Sequence, residues 1–113
     1  PLILKGEKSK LIHEKVNNLL QDANFLNEKN KFPTELTFGQ NQIVAIMRAI
    51  VTNPKIILLD EPMNHIDTNK EKMVWNLINK YKDPNAVIVF TTSQKYILEN
   101  FEGHVIDMHS YHI

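Results

Sequence analysis

The sequence predicts an α/β fold in which helices pack on a parallel sheet. Two segments, Ile56–Leu59 and Val87–Phe90, are entirely apolar, as strands are when helices cover both faces of their sheet. The segment between them has apolar residues at helical spacing, namely Val74, Leu77, Ile78 and Tyr81. Because a strand, a helix and a second strand are normally joined by a right-handed crossover, the two strands are expected to be parallel and close together.

The composition is that of one ordinary globular domain. Of the 113 residues, 42% are hydrophobic and 23% are charged, and there is no cysteine, which excludes disulfides and thiolate metal sites. Thirteen basic residues balance thirteen acidic ones, so no direct nucleic-acid partner is expected. No apolar run approaches the roughly 20 residues of a membrane-spanning helix. We therefore expect a cytoplasmic domain.

The first part of the chain predicts an amphipathic helix followed by a loop. Residues 10–23 place their apolar side chains on one helical face, and Ser9 is a candidate N-cap. Residues 24–35 are mostly polar and include Pro33, which disfavours helical angles at the residue before it. This stretch is expected to connect the first helix to the next.

A capping box marks the start of the second helix. Thr37 and Gln40 have the spacing at which each side chain can bond the backbone N–H of the other. Apolar residues at helical spacing follow, so the helix is expected to begin near Phe38. Asn53 and Pro54 are expected to end it.

The rest of the chain predicts a third capped helix and a C-terminal hairpin. Thr68 and Glu71 have the spacing of another capping box. Residues 93–101 suggest a short helix. Residues 105–108 and 111–113 suggest a hairpin or two short strands.

Two carboxylates follow the first predicted strand directly. Asp60 and Glu61 come just after Ile56–Leu59, and open parallel sheets bind their ligands beyond the carboxyl ends of the strands. Asp60 could hold Mg²⁺ through oxygen ligands and water, and Glu61 could orient or deprotonate an attacking water. The alternative is that the pair only begins a loop.

The motifs between residues 36 and 101, taken in order, resemble the ATP-binding subunits of ABC transporters. Residues 56–62, IILLDEP, resemble the Walker B strand of that family. Residues 36–40, LTFGQ, resemble its LSGGQ signature and precede Walker B at the family's spacing, and residues 64–67 resemble its D-loop. The resemblance implies a P-loop NTPase-like three-layer α/β sandwich, of which this chain would form the C-terminal half.

In this family the signature faces the terminal phosphate of ATP held by the opposite subunit. The resemblance implies this role for Thr37, Phe38, Gly39 and Gln40. A helix N-terminus suits the role, because its unpaired N–H groups attract anions. Phe38 departs from the pattern, which has glycine at that position, and the alternative is an ordinary capped helix start.

The resemblance also implies roles for the residues around the carboxylates. Asp60 would bind Mg²⁺ through water, and Glu61 would be catalytic. Asp67 would reach across the dimer as part of the D-loop, although it could instead only cap a helix. Ser93 occupies the position of the usual switch histidine, and it can donate a hydrogen bond but cannot become positively charged.

The resemblance divides the chain into two parts. Residues 1–51 would form part of the helical subdomain with the signature, and residues 52–113 would form the part of the core with Walker B, the D-loop and the switch region. The phosphate-binding pattern G-x-x-x-x-G-K-[ST] does not occur in the 113 residues, so the chain is expected to begin midway through the domain. Residues 1–35 resemble exporters of the lipoprotein-releasing, macrolide and bacteriocin groups.

The function implied is that of an ATP-binding subunit that uses ATP and Mg²⁺. It would pair with a second ATP-binding subunit beneath membrane-spanning partners, at the inner face of the cell membrane. Two alternatives are a degenerate, non-catalytic ABC module and a ribosome-acting F-type ABC protein. The chain by itself is expected to lack ATPase activity and to form a homo-oligomer that covers apolar sheet surface.

A separate candidate is a metal site near the C-terminus. His104, His109 and His112, with Asp107, are residue types that ligate transition metals. Solvent-facing histidines are the simpler interpretation, since alternation along short strands would direct these side chains to different faces.

Overall fold

The computed structural model describes residues 1–110. Over this range the chain folds into four α-helices, two strands and three short 3₁₀ turns. The helices are α1 (Ser9–Asp22), α2 (Phe38–Ile50), α3 (Thr68–Tyr81) and α4 (Lys95–Glu99), and the strands are β1 (Ile56–Leu59) and β2 (Val87–Phe90). The 3₁₀ turns are Leu26–Glu28, Pro33–Glu35 and Met108–Ser110.

The two strands form a parallel pair, and α3 lies between them in the chain. Ile56 is opposite Val87, and Leu59 is opposite Phe90. Parallel strands joined by a helix confirm the predicted α/β class. The division at residues 51 and 52 stays a prediction.

One face of the sheet is covered and the other is open. Ile57 is only 2% exposed, and Ile88 packs against the core. The alternate side chains form an apolar sheet face, between 55% and 73% exposed, which consists of Ile56, Leu58, Val87 and Val89. This second face has no helix over it within residues 1–110, and the expected uncovered apolar sheet surface is therefore confirmed.

The core lies on the covered side of the sheet, where α2 packs against α3. Ile50 from α2 and Val74 and Ile78 from α3 have no exposed surface. Burial of such side chains stabilises the fold by roughly 1.5–3 kcal/mol each. The face that α2 presents to this core holds the helix, and therefore its N-terminus, in a fixed place.

Three aromatic rings close the core at the carboxyl end of the sheet. The ring centroid of Trp75 lies 5.0 Å from that of Phe90 and 4.5 Å from that of Phe101. Phe90 and Phe101 are 5.3 Å apart in an edge-to-face arrangement, which suits the charge distribution of aromatic rings. The cluster anchors the segment that follows β2 against α3.

The predicted capping box of α2 is confirmed. The Thr37 hydroxyl accepts from the backbone N–H of Gln40 at 3.1 Å, and the Gln40 side chain accepts from the backbone N–H of Thr37 at 3.0 Å. The helix begins at Phe38 as expected.

The predicted cap of α1 is wrong by one residue, whereas at α3 the structure confirms the alternative cap, Asp67, in place of Thr68. Ser9 is already helical, and Lys8 holds the N-cap position without a side-chain bond. At α3 the cap is Asp67 rather than Thr68, and its carboxylate accepts from the N–H of Asn69 at 3.2 Å. Asp67 and Thr68 are both capping residue types, and the backbone of Asp67 is non-helical, with ψ of 134°, as an N-cap requires.

The predicted C-terminal hairpin is wrong for residues 105–108. Residues 102–107 contain no strand, and Val105 and Ile106 are exposed, with no strand of residues 1–110 beside them to pair with. A 3₁₀ turn follows at Met108–Ser110. The second predicted strand, residues 111–113, lies outside the described residues. Within residues 1–110, every helix is too short or too polar to cross a bilayer.

Candidate functional site

The carboxylates and the predicted switch region lie at the same edge of the sheet. Asp60 and Glu61 follow β1, and Thr91 to Ser93 follow β2. The parallel ladder continues past the strands, since the N–H of Thr91 donates to the carbonyl of Leu59 at 3.0 Å. The predicted placement of Asp60 and Ser93 at one sheet edge is therefore confirmed.

The Thr91 hydroxyl connects the two acidic residues. It donates to Oδ1 of Asp60, and it accepts from the backbone N–H of Glu61 at 2.9 Å. Sequence reasoning did not assign Thr91 a role. The available signal was its position one residue after β2, which strand register places opposite Asp60.

The Glu61 backbone is held in a left-handed conformation. Its φ is 44°. Residues other than glycine rarely adopt this backbone conformation, and those that do are often found at functional sites. The Glu61 carbonyl accepts from the N–H of Asn64 at 3.1 Å. Gln42 of α2 donates from Nε2 to the carbonyls of Glu61 at 3.4 Å and Pro62 at 3.1 Å.

Gln42 is therefore a second contributor that sequence reasoning missed. It is a half-buried polar side chain, and the next residue of the helix, Ile43, is buried in the core. Because a buried amide without partners is costly, such a residue predicts a hydrogen-bond partner. Only the fold identifies that partner as the turn after β1.

The N-terminus of α2 packs directly against residues 64–67. A Cβ atom at Gly39 would overlap the backbone carbonyl oxygen of His65. The rings of Phe38 and His65 lie 5.7 Å apart, and Phe38 is 82% exposed. The signature-like and D-loop-like segments thus form one continuous surface.

The first turn of α2 keeps two backbone donors available. The N–H groups of Phe38 and Gly39 make no hydrogen bond within residues 1–110, whereas the N–H of Gln40 is used by Thr37. Unpaired N–H groups at a helix start attract anions. Phenylalanine in place of glycine at position 38 changes the side chain but keeps the backbone N–H donor.

Asp67 and Ser93 both lie at the exposed surface of the site. The Asp67 carboxylate caps α3 and is exposed. Ser93 is exposed, and its hydroxyl has no hydrogen-bond partner among residues 1–110, whereas neighbouring Thr92 accepts from the N–H of Gln94 at 3.0 Å.

A tyrosine links the segment after β2 to α3. The Tyr96 hydroxyl donates to Oε1 of Glu71 at 2.6 Å and lies 3.1 Å from Oε1 of Gln94. The hydrogen bond to the Glu71 carboxylate raises the pKa of Tyr96 above its ordinary value. The predicted switch region is thereby connected to the helix that follows the D-loop-like segment.

Comparison with known proteins identifies the family. The sequence profile of the ABC transporter family matches residues 5–64, which include the start of α2, β1 and the two carboxylates. The chain belongs to the ABC transporter family.

Individual relatives agree with this membership. The spermidine/putrescine import ATP-binding protein PotA of Nitrosospira multiformis is 39% identical over 93 residues, which cover 81% of this chain and 26% of the relative. The methionine import ATP-binding protein MetN 1 of Staphylococcus epidermidis is 35% identical over 96% of this chain and 34% of its own length. The lipoprotein-releasing system ATP-binding protein LolD of Treponema denticola is 37% identical over 86% of this chain and 43% of its own length.

The chain spans between about a quarter and two-fifths of the length of these relatives. Import and lipoprotein-releasing proteins match this ABC transporter chain with similar identity. The narrower assignment to the exporter group therefore stays a prediction.

The oxygen donors of this ABC transporter site suit a hard cation. Asp60 is exposed, and among residues 1–110 one hydrogen bond reaches its carboxylate, which leaves further lone pairs open. Mg²⁺ typically takes one or two carboxylates and keeps several waters, so Asp60 fits the ion as a partial ligand.

The C-terminal histidines form no comparable site in the described part of the chain. His109 Nδ1 lies 3.3 Å from Asp107 Oδ1. No group of three or more His, Cys, Asp or Glu side chains with metal-binding geometry occurs in residues 1–110. His112 lies outside the described residues.

Proposed function

We propose that this chain is the signature and Walker B part of an ATP-binding subunit that couples ATP binding and hydrolysis to membrane transport. The packing of Gly39 against the carbonyl of His65 carries the proposal. It joins a helix N-terminus with available donors to the turn that follows Asp60 and Glu61. The relatives, named as ATP-binding proteins of import and lipoprotein-releasing systems, support the same function.

The two carboxylates have separate roles in this proposal. Asp60 holds Mg²⁺ through a water molecule, and Mg²⁺ neutralises charge on the phosphates of ATP. Glu61 orients or deprotonates the attacking water, a role for which a carboxylate within reach of that water is suited. Its position at the carboxyl end of β1 supports this assignment.

The signature residues act on the ATP of a second ATP-binding subunit. The N–H groups of Phe38 and Gly39 bind its terminal phosphate, and Thr37 and Gln40 hold the helix start in shape. Asp67 lies in the segment that faces the second subunit. Ser93 supplies a neutral hydrogen-bond donor where the family usually has histidine.

The partners of the complete subunit follow from this function. The second ATP-binding subunit completes each nucleotide site, and membrane-spanning subunits receive the closing motion. The assembly lies at the inner face of the cell membrane, where cytoplasmic ATP is available.

A second candidate function is a degenerate module that binds nucleotide without hydrolysing it. Two departures from the family pattern favour it. Phe38 places an 82% exposed ring at the signature, and Ser93 cannot take up a positive charge.

A chimaera distinguishes the two candidates. The N-terminal portion of the methionine import relative, where the family pattern places the phosphate-binding loop, is joined to residues 1–113. ATP turnover is measured with and without Glu61→Gln. The transporter function predicts turnover that falls roughly 100-fold or more in E61Q. ATP binding without turnover in the native chimaera indicates the degenerate module. Turnover that E61Q does not change contradicts the catalytic assignment.

A further inference from the structure

We propose that Thr91 is a positioning residue that holds the Asp60 carboxylate and the Glu61 backbone in one arrangement. The inference rests on the proposed function, because it concerns how the Mg²⁺ ligand and the hydrolytic carboxylate are oriented. Neither residue packs in the core, so their placement requires a specific contact. The Thr91 hydroxyl provides contacts to both.

A hydroxyl is suited to this double contact. It can donate one hydrogen bond and accept others at the same time. The Thr91 hydroxyl donates a hydrogen bond to Asp60 Oδ1, and its oxygen accepts one from the N–H of Glu61 at 2.9 Å. A methyl group in its place would leave both partners without this contact.

The conformation of Glu61 makes the contact consequential. With φ at 44°, the Glu61 backbone persists only where its surroundings hold it. Its carbonyl is held by Asn64 and Gln42, and its N–H is held by Thr91. Loss of the Thr91 hydroxyl therefore releases the peptide group that precedes Glu61. The Glu61 side chain is then less restricted in orientation.

The same contact orders the Mg²⁺ ligand. Asp60 is exposed, and an exposed carboxylate with no partner samples several rotamers. The donor from Thr91 restricts Oδ1, so less conformational freedom is lost when a cation binds. Removal of the hydroxyl should weaken cation binding without altering the charge of the site.

The test compares Thr91→Val, which keeps the shape and loses the hydroxyl, with Thr91→Ser, which keeps the hydroxyl. Thr92→Val is the matched control, since the Thr92 hydroxyl bonds Gln94 and neither acidic residue. Hydrogen exchange of the Glu61 amide and broadening of nearby amide signals by Mn²⁺ are followed by NMR in the 113-residue chain. Thr91→Ala replaces T91V if circular dichroism shows that T91V is unfolded.

One lost hydrogen bond predicts changes of about two- to tenfold. In T91V the Glu61 amide should exchange faster by a factor in that range. The Mn²⁺ concentration needed to broaden the nearby amide signals should rise by a similar factor. T91S and T92V should match the native chain in both measurements. Equal exchange in native and T91V chains overturns the inference. Mn²⁺ that broadens no signal near Asp60 in the native chain contradicts the proposed metal site instead, and the exchange comparison still decides the role of Thr91.

Discussion

Gly39 lies so close to the backbone carbonyl of His65 that a residue with a side chain would not fit at position 39. Gly39 belongs to the helix that carries the signature, and His65 belongs to the segment that follows the Walker B carboxylates. A displacement of either segment must therefore displace the other, because closely packed backbone segments cannot shift independently. This contact links the surface that we propose faces a second subunit with the chain's own carboxylates.

Replacing Gly39 by alanine should destabilise the protein. The new Cβ meets a carbonyl oxygen of the backbone rather than a flexible side chain, and overpacking of this kind costs about 1–3 kcal/mol. Urea unfolding measures the loss. Gly103→Ala is the control, since nothing lies within 4 Å of a Cβ there. Equal stability of G39A and G103A would show that the two segments are not tightly packed.

The apolar sheet face should cause the 113-residue chain to self-associate without nucleotide. Leu58 is the most exposed residue of this face, at 73%. Exposed apolar sheet surface and unpaired strand edges favour association. Leu58→Lys should shift the chain towards monomer in light scattering, with or without ATP. Leu4→Lys is the control, because Leu4 is 93% exposed but lies outside this face. A native chain that stays monomeric at high concentration would refute the prediction.

Asp22 should contribute stability that depends on pH. Lys80 and Tyr81 donate to its carboxylate at 2.7 Å and 2.6 Å. The hydrogen bonds from Lys80 and Tyr81 lower the pKa of Asp22 below 3.8, so the stabilisation is complete above the unfolded-state pKa and is lost as pH falls through the folded-state pKa. Burial and this contact also raise the pKa of Tyr81 to about 12, which keeps its hydroxyl a donor.

The variant Asp22→Asn isolates this effect. At pH 7 it should lower the free energy of unfolding by no more than about 1 kcal/mol, since the cluster is partly exposed. The difference from the native protein should shrink as pH falls below 3.8. Urea unfolding across pH 2–7 measures it. A difference that is constant with pH would show that the charge of Asp22 is not involved.

The 113-residue chain alone should not hydrolyse ATP appreciably. It contains no G-x-x-x-x-G-K-[ST] pattern, and Mg²⁺ with Glu61 cannot by itself hold the phosphates in position. Phosphate release by the purified chain, with E61Q as the control, measures this. Turnover that E61Q abolishes would reveal a phosphate-binding site not recognised in the sequence.

Local patterns predicted the parts of the fold that depend on local physics. The capping box of Thr37 and Gln40 placed the start of α2, and the apolar segments placed β1 and β2. Each of these signals is complete within a few residues. The local pattern did not choose between two caps for α3, because neighbouring Asp67 and Thr68 both carry a capping side chain.

The contacts that shape the site could not be predicted in this way. Thr91 meets Asp60 only because the strands pair in one register. Gln42 meets Glu61 only because α2 packs beside the turn that follows β1. The fit of Gly39 to His65 likewise depends on how two distant segments pack. Family resemblance identified the motifs, but such contacts depend on tertiary packing.

ATP-dependent pairing of the chimaera tests the central claim most directly. With Glu61→Gln blocking hydrolysis, ATP should remain bound between the signature helix of one subunit and the phosphate-binding loop of the other. Size-exclusion chromatography with light scattering should show a dimer with ATP and Mg²⁺ and a monomer without them. A mass that does not change with ATP, in a chimaera that folds and binds ATP, would contradict the assignment of residues 36–40 as a signature that binds the ATP of a second subunit.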